Sequence, residues 1–482
     1  MVRFIDVFGS MARVIPTVKS PDRKVQFREK LGWTVIVLVI FLLMSNIPLY
    51  GIAPGTQTTD YLYWMRVILA STHGTLMELG IGPIVTAGLI MQLLAGSKII
   101  NIDLSNTEDR SKFTASQKSL AMLMTGIQAL AYIVSGAYGS LALISSIVVF
   151  LQLMVAGLVV VLLDELTQKG WGLGSGISLF IVANVAQQIL WRSFSPIRGA
   201  DSYYVGAVLA SFQALATGGL QALGTVFWTR PSDSGSTFGL FATIAVFVVV
   251  IYFETYRVNI PLQYAKYRGF RGSYPIKLLY VSNIPVILVQ SLFATILFWV
   301  QLVAKGNTGG SANPWLNLLG VFNKNIDASG NITYQPIGGL IYYITPPVNG
   351  LVSVIRDPIQ AIVYLSLMVF LCAGFARIWV ELSGIAPRDI ASQLHSSGMQ
   401  IPGFRRSPAI MEQVLQRYIP VVALLGGMIV GLLAALADFS GALGTGMGVL
   451  LTVGIIYQLY QTIAQEQLAD MHPAIRGMLG VS

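Results

Sequence analysis

Chemically reactive side chains are few in this chain, and their spacing fits no catalytic or metal-binding pattern. His73, His395 and His472 stand too far apart for a metal-ligand cluster, and the single Cys372 excludes an intrachain disulfide. The zinc motif H-E-x-x-H, the nucleophile turn G-x-S-x-G and the phosphate loop G-x-x-x-x-G-K-[ST] do not occur in the sequence. The glycine-rich run at 172–176 follows an apolar segment rather than a strand, which indicates a tight helix entry. We therefore predict no enzymatic activity and no cofactor.

Groups that could bind ions or relay protons are equally scarce. Only 11% of the 482 residues are charged, against about 25% in a soluble domain, and the mean hydropathy is +0.69. This composition excludes an ordinary soluble protein and indicates a multi-span membrane protein. The acids closest to apolar segments lie at or near predicted helix ends, which disfavours a secondary transporter of small solutes but leaves it as the alternative function. These acids are Asp164, Glu165, Glu254, Glu381 and Asp438.

Ten apolar segments are long enough to span a bilayer as helices. They are Leu31–Tyr50, Gly80–Ser97, Ser119–Tyr138, Leu141–Leu163, Gly172–Trp191, Phe238–Phe253, Leu278–Val303, Ile359–Ala376, Tyr418–Ala437 and Gly441–Ala464. An eleventh candidate, Val205–Phe227, would place the basic loops Arg257–Lys277 and Arg388–Arg417 on the outside, against the positive-inside rule. We therefore predict an external helix there. Ala304–Asp357, with the apolar stretch Ile337–Ile344, is expected to be a loop that dips or caps.

Ten spans divide into two halves of five, and an odd number per half implies that the halves are inverted relative to each other. The second span of each half opens with a proline, Pro83 or Pro285, which is a weak sign of an inverted repeat around a central pathway. The sequence predicts an organisation in five parts along the chain. It comprises a cytoplasmic N-terminal segment 1–30 that forms a surface helix or a plain amphipathic cap, a first half 31–195, an external hinge loop 196–237, a second half 238–464 and a cytoplasmic tail 465–482.

Several long motifs in order resemble one family. They are ELGIGPIVTA at 78–87, LDEL at 163–166, KGWGLGSGISLF at 169–180, YPIK at 274–277, SNIP at 282–285 and GALG at 441–444. Together they are similar to the SecY-type central subunit of the protein-conducting translocon. HPAI at 472–475 looks most like the archaeal branch, with the alpha subunit of the endoplasmic reticulum channel a close second. The resemblance implies an all-α SecY fold that passes unfolded secretory chains across the membrane and releases transmembrane segments into lipid.

The resemblance implies an hourglass pore with a ring of six aliphatic side chains at its waist. The matching residues are Ile81, Val85, Ile177, Ile181, Ile287 and Leu451. Branched apolar side chains offer ions no replacement for their hydration water and favour dewetting, while rotamer changes let the ring widen around a chain. Ile81 with Val85, and Ile177 with Ile181, are spaced i,i+4 and therefore lie on one helix face.

Charged and polar residues acquire roles through the same resemblance. Residues 60–72 match the plug helix, and Arg66 within it would repel the basic flank of a signal sequence that Glu381 attracts. A lateral gate between spans two and three and spans seven and eight would contain the polar residues Thr86, Gln128 and Thr295. Family members often carry asparagine in place of Thr295.

The family also implies partners and a membrane. Lys266, Arg268 and Arg405, with Arg406 beside it, match positions that touch ribosomal RNA and tunnel-exit proteins, a contact that phosphate binding by Arg and Lys suits. The other expected partners are a small single-span gamma or SecE-type subunit, a small beta-type subunit, nascent chains with their signal sequences, and membrane lipid. The archaeal plasma membrane is the predicted location, and the endoplasmic reticulum membrane is the alternative.

Overall fold

A computed structural model describes most of the chain, and every statement below concerns that part. The described residues are 15–23, 25–52, 59–60, 66, 69–97, 99–100, 107–139, 141–199, 201–228, 230, 234–264, 271–279, 281, 283–303, 307, 313–326, 332–347, 350–383, 385–396, 399–400 and 407–471.

Helices dominate the described residues, and every predicted span overlaps one of them. In chain order they are α1 (Phe27–Met44), α2 (Gly82–Gly96), α3 (Thr107–Val134), α4 (Leu143–Gln168), α5 (Gly176–Phe194), α6 (Ala207–Trp228), α7 (Thr237–Thr255), α8 (Ile284–Val303), α9 (Pro314–Leu319), α10 (Leu340–Ile344), α11 (Leu351–Arg356), α12 (Pro358–Leu382), α13 (Pro387–Ser396), α14 (Pro408–Phe439) and α15 (Gly446–Met471). The predicted spans correspond to α1–α5, α7, α8, α12, α14 and α15. By length and composition alone, α4, α7, α8, α12, α14 and α15 can cross a membrane, and α2 is a shorter apolar helix.

Helix α6 corresponds to the segment that the loop charges place outside the membrane. Its backbone leaves helical geometry at Gly219, where φ is +64°, so that the segment consists of two shorter helical pieces, 207–218 and 220–228. A spanning helix needs about 20 residues, and neither piece reaches that length. Neither piece of α6 is therefore a spanning helix by length, and the external position of α6 stays a prediction.

Two three-stranded sheets occupy long loops between the helices. In chain order the strands are β1 (Thr59–Asp60), β2 (Arg257–Tyr264), β3 (Arg271–Lys277), β4 (Val321–Ile326), β5 (Ile332–Gly338) and β6 (Met399–Gln400). β2 pairs antiparallel with β3 and β6, and β5 pairs antiparallel with β4 and parallel with β1. The loop at 304–357 is thus a hairpin with short helices. Its sequence DASGN at 327–331 is a turn signal between two strands that hydropathy alone overlooks.

The last two spanning helices of each half are joined by the same local arrangement. At the start of α5 the Ile177 amide donates to Asp164 Oδ1 at 3.1 Å, and at the start of α15 the Met447 amide donates to Asp438 Oδ1 at 2.9 Å. Each carboxylate lies near the end of the preceding helix and accepts amide hydrogen bonds that a helix N-terminus otherwise leaves unmade. The sequences LGSG at 173–176 and LGTG at 443–446 repeat with it. This match supports an internal repeat more strongly than the paired prolines do.

Each of these junctions requires glycine at the first helical position. A Cβ on Gly176 would lie 2.6 Å from the Asp164 Cα, and one on Gly446 would lie 1.8 Å from the Ala437 carbonyl carbon. No real Cβ contact is that short, so that the preceding helix end would have to move. Glycine therefore allows α4 to meet α5, and α14 to meet α15, at a sharp angle.

Helices α12 and α14 pack through small residues along their length. A Cβ on Gly427 would lie 2.8 Å from the Cys372 carbonyl oxygen, and one on Gly431 would lie 2.9 Å from the Met368 carbonyl oxygen. Cys372 itself is fully buried. Close backbone approach through glycine is a common way for helices to associate in lipid, because water does not drive their apolar faces together.

We expect Gly446→Ala to destabilise the protein, because the new methyl group must displace the end of α14. Overpacking of this kind costs about 1–3 kcal/mol, which lowers the thermal unfolding midpoint of the detergent-solubilised complex. Gly374→Ala is the matched control, since a Cβ there meets nothing within 4 Å inside α12 and alanine favours helix. Equal midpoints for the two variants would contradict the packing argument.

Candidate functional site

The six residues predicted to form the pore ring belong to, or pack against, one large apolar cluster to which both halves contribute. Ile81, Val85, Ile181 and Leu451 are buried, and Ile177 and Ile287 are partly buried against the same cluster. The helices place four of them at repeated positions of the two halves.

The repeat can be read off the starts of the helices. Val85 is the fourth residue of α2 and Ile287 the fourth of α8, while Ile181 is the sixth of α5 and Leu451 the sixth of α15. Four of the ring residues therefore come from two pairs of equivalent positions. Side chains drawn from equivalent positions of two inverted halves can surround a common axis, which is the arrangement a central constriction needs.

The backbone before α2 fastens the predicted plug segment to the ring. The Ile81 amide donates to the Leu69 carbonyl at 2.8 Å. Gly80 adopts φ +54°, and a Cβ there would lie 2.2 Å from the Leu69 carbonyl oxygen. Only glycine allows this close approach at a positive φ. The described plug residues, Asp60, Arg66 and 69–72, include this contact, and the rest of 60–72 lies outside the described residues.

Arg66 is buried and forms an ion pair that the sequence analysis did not foresee. Its guanidinium donates to Glu78 Oε1 at 2.7 Å and to Ser71 Oγ at 2.6 Å, and it lies 2.9 Å from His73 Nδ1. The Asn184 amide of α5 donates to the Arg66 carbonyl at 3.2 Å. The Arg66 charge is therefore neutralised inside the protein.

Glu78 has no exposed surface and precedes α2. Burial alone would raise the pKa of its carboxyl, but the charges of Arg66 and His73 and hydrogen bonds from both hold the pKa at about 2, below the usual 4.5. The Gly74 amide also donates to Oε2 at 2.6 Å. A buried carboxylate with this many partners keeps its charge at every physiological pH. Glu78 stands inside the ELGIGPIVTA motif, where it could have been recognised as the partner of a nearby arginine.

Polar side chains from different helices meet at the predicted lateral gate. Thr86 Oγ1 of α2 lies 3.3 Å from Thr295 Oγ1 and 3.5 Å from Ser291 Oγ, both on α8. Gln128 of α3 lines a cavity of about 20 Å³ with Thr86 and Thr295, and Leu69 reaches the same cavity. A space of that size holds about one water molecule. The three predicted residues therefore lie together, and Ser291 is an addition.

An aromatic stack joins α3 to α8 beside this cavity. The Tyr132 ring of α3 lies with its centroid 5.3 Å from that of Phe298 on α8, at an interplanar angle of 20°. Both side chains also line the small cavity. Aromatic pairs of this geometry contribute about 0.5–1.5 kcal/mol beyond their buried area. Beside the cavity, the contact of α2 and α3 with α8 thus includes one ring pair and a few hydroxyl groups.

The remaining predicted residues lie apart from this centre. Glu381 is exposed near the end of α12. Lys266, Arg268, Arg405 and Arg406 lie outside the described residues. The neighbouring strands are described. β2 pairs with β6 through Gln263 with Gln400 and Tyr264 with Met399. Within the described residues no group of His, Cys, Asp and Glu side chains could hold a metal ion.

Comparison with known proteins gives consistent matches. The family model described as SecY matches residues 75–460, and the model described as the plug domain of Sec61p matches residues 39–74. A protein transport protein Sec61 subunit alpha of Dictyostelium discoideum is 44% identical over 96% of this chain and 97% of its own length.

Two solved structures are similar over nearly the whole chain. One is described as the structure of a protein conducting channel, with a TM-score of 0.81 and 38% identity over 96% of this chain and 98% of that one. The other is Sec61 in the canine ribosome-channel complex from the endoplasmic reticulum, with a TM-score of 0.78 and 38% identity over the same shares.

We expect Glu78→Gln to destabilise the closed protein, because Arg66 would remain buried without its counter-charge. Losing one partner of a buried pair costs roughly 3 kcal/mol. Since the pKa of Glu78 is lowered in the folded protein, its stabilisation is full above about pH 4.5 and disappears as the pH falls to about 2. The unfolding midpoints of the variant and the unsubstituted protein should converge over that range. Glu29→Gln, which breaks an exposed pair with Arg23, is the control and should change little. A constant difference down to pH 2 would contradict the ion pair.

Proposed function

This chain belongs to the SecY family, and we propose from that premise that it is the central, pore-forming subunit of a protein-conducting channel. It passes unfolded secretory polypeptides across the membrane and releases transmembrane segments sideways into lipid. It is a channel and not an enzyme. The observation that supports the proposal is the hydrogen bond from the Ile81 amide to the Leu69 carbonyl, which joins the proposed plug segment to a residue of the proposed ring.

The ring seals the pore when it is empty and widens when a polypeptide passes through it. Ile81, Val85, Ile177, Ile181, Ile287 and Leu451 present only aliphatic groups, so that an ion entering the waist would lose water and gain no ligand. An extended polypeptide needs a wider aperture, which rotamer changes and small helix displacements provide. In the closed state the ring and the plug exclude ions together.

The lateral gate lies between α2 and α3 on one side and α8 and α12 on the other. Its hydroxyl contacts are few, and each hydrogen bond between membrane helices contributes only about 0.6 kcal/mol. A gate held by Thr86, Thr295 and Gln128 can therefore open when an apolar segment of the passing chain packs between the gate helices in place of these contacts. Polar segments gain nothing from lipid and stay in the pore.

Signal orientation is proposed to depend on Arg66 and Glu381. Because Glu78 neutralises Arg66 in the closed protein, the Arg66 charge acts on a signal sequence only after the plug leaves its place. Glu381, exposed near the end of α12, is available to a basic flank from the beginning. The two residues thus act in sequence rather than at once.

The proposed partners and membrane follow from the relatives. We propose that the chain assembles with a small single-span gamma or SecE-type subunit and a small beta-type subunit. It docks the ribosome through Lys266, Arg268, Arg405 and Arg406, and the pairing of β2 with β6 close to them in the sequence supports a common site. The protein is a multi-pass membrane protein. The Dictyostelium relative and the canine channel favour the endoplasmic reticulum membrane, and the archaeal plasma membrane is the alternative.

Crosslinking to a translocating chain tests the pore. Cys372 is first replaced by serine, and single cysteines are introduced by Ile181→Cys and Leu451→Cys. We expect disulfides from both positions to a ribosome-stalled secretory chain that carries one cysteine, and these should move along that chain as it is lengthened. The crosslinks should disappear when the signal sequence is removed.

The matched control is Leu190→Cys, which lies on the same helix as Ile181 but is exposed on its outer surface. It should label with a lipid-soluble reagent and should not crosslink to the stalled chain inside the pore. If Leu190→Cys and Ile181→Cys crosslink equally, or if neither ring position ever reaches the chain, the pore assignment is wrong.

We expect Thr86→Val to ease lateral opening, because the valine keeps the shape of threonine but cannot bond to Thr295. The loss of about 0.6 kcal/mol corresponds to a roughly threefold higher ratio of inserted to translocated product for a marginally apolar test segment. Thr125→Val is the control, since the Thr125 hydroxyl is buried but bonds within its own helix to Ala121. An unchanged ratio in Thr86→Val, or an equal rise in both variants, would argue against a hydroxyl-held gate.

A further inference from the structure

Asn283 is a buried polar side chain at the centre of the protein. It directly precedes α8, and only 4% of its surface is exposed. A buried amide is costly unless it is hydrogen-bonded, so that its bonds indicate what its position requires. The roles proposed above for the pore, the gate and the ribosome contact do not use Asn283.

Two hydrogen bonds connect Asn283 to two different ring residues. The Ile287 amide donates to the Asn283 carbonyl at 3.2 Å, which closes the first turn of α8. The Asn283 side-chain Nδ2 donates to the Leu451 carbonyl of α15 at 3.3 Å. One residue thus fixes the distance between the helix starts that carry Ile287 and Leu451.

Gly454 shows how closely α15 approaches this amide. A Cβ on Gly454 would lie 2.1 Å from Asn283 Nδ2 and 2.6 Å from its Oδ1. Any side chain at position 454 would therefore push the amide away from the Leu451 carbonyl. Asn283 and Gly454 form one contact, in which the glycine makes room for the hydrogen bond.

The other half of the protein has a different residue at the equivalent position. Ile81 directly precedes α2 as Asn283 precedes α8, and each stands two residues before a proline, Pro83 or Pro285. The Val85 amide donates to the Ile81 carbonyl at 3.1 Å, just as the Ile287 amide donates to Asn283. Ile81 supplies a side chain to the ring, whereas Asn283 turns its side chain to the neighbouring helix.

The two halves of the ring are therefore held in different ways. In the first half the Ile81 backbone amide donates to the Leu69 carbonyl of the plug segment, which under the proposed function leaves when the pore opens. In the second half the Asn283 side-chain amide donates to the Leu451 carbonyl of α15, which is part of the proposed pore wall. We propose that Asn283 is a positioning residue that fixes Ile287 and Leu451 as the permanent side of the constriction, against which the plug-dependent side closes.

The inference rests on the proposed pore function, and its test measures two quantities. The full complex with its small subunits is reconstituted into lipid vesicles, and both resting ion leak and translocation of a signal-bearing chain are recorded. Asn283→Asp keeps the size of the side chain but its carboxylate has no hydrogen to donate, and Gly454→Ala displaces the amide. We expect either change to raise the resting leak roughly fivefold, the population shift for one lost hydrogen bond, with translocation retained.

Gln290→Leu is the matched control, because Gln290 is equally buried on α8 and its side-chain amide lies against Met368 Sδ of α12 rather than against α15. Its resting leak should equal that of the unsubstituted complex. A normal leak in both Asn283→Asp and Gly454→Ala, or an equal rise in Gln290→Leu, would overturn the positioning role. Failure of the unsubstituted complex to translocate would instead overturn the proposed function.

Discussion

An apolar ring seals a pore only while the helices that carry it stay at a fixed distance, and this constraint organises the polar groups of the protein. Ile81, Ile181 and Leu451 gain nothing from specific bonds of their own side chains, so that fixed geometry must come from elsewhere. The bonds that supply it begin at helix ends, where backbone groups lack partners within the helix. Asp164, Asp438 and Asn283 all stand at such ends.

Arg66 and Glu78 form a buried ion pair just before α2. Arg66 and Glu78 satisfy each other within the plug and its anchor, and Ser71 and the Gly74 amide take up the remaining bonding capacity. An ion pair out of water is weak evidence of stability but strongly specifies one arrangement, because every displaced arrangement leaves two unpaired charges. A plug fixed in this way has one closed position.

Much of the fold could be predicted from the sequence because its signals are local. Apolar runs define the spans, and the i,i+4 spacing of Ile81 with Val85 puts both on one face. The partners of Arg66 and the bond from Asn283 to Leu451 could not be predicted in the same way. They join residues whose separation depends on tertiary packing, and 168 positions lie between Asn283 and Leu451. The strands of the outer hairpin were missed because hydropathy does not register short pairs around a turn.

The glycine contacts between α12 and α14 couple the movements of these two helices. With backbones this close at Gly427 and Gly431, neither helix can slide or rotate alone without steric overlap. We therefore expect α12 and α14 to move together as one rigid body. The compliant joint is then the contact of α2 and α3 with α8, where hydroxyl pairs and one aromatic stack resist opening. Compliance concentrated at that joint lets a passing segment part the channel there without disturbing the rest of the wall.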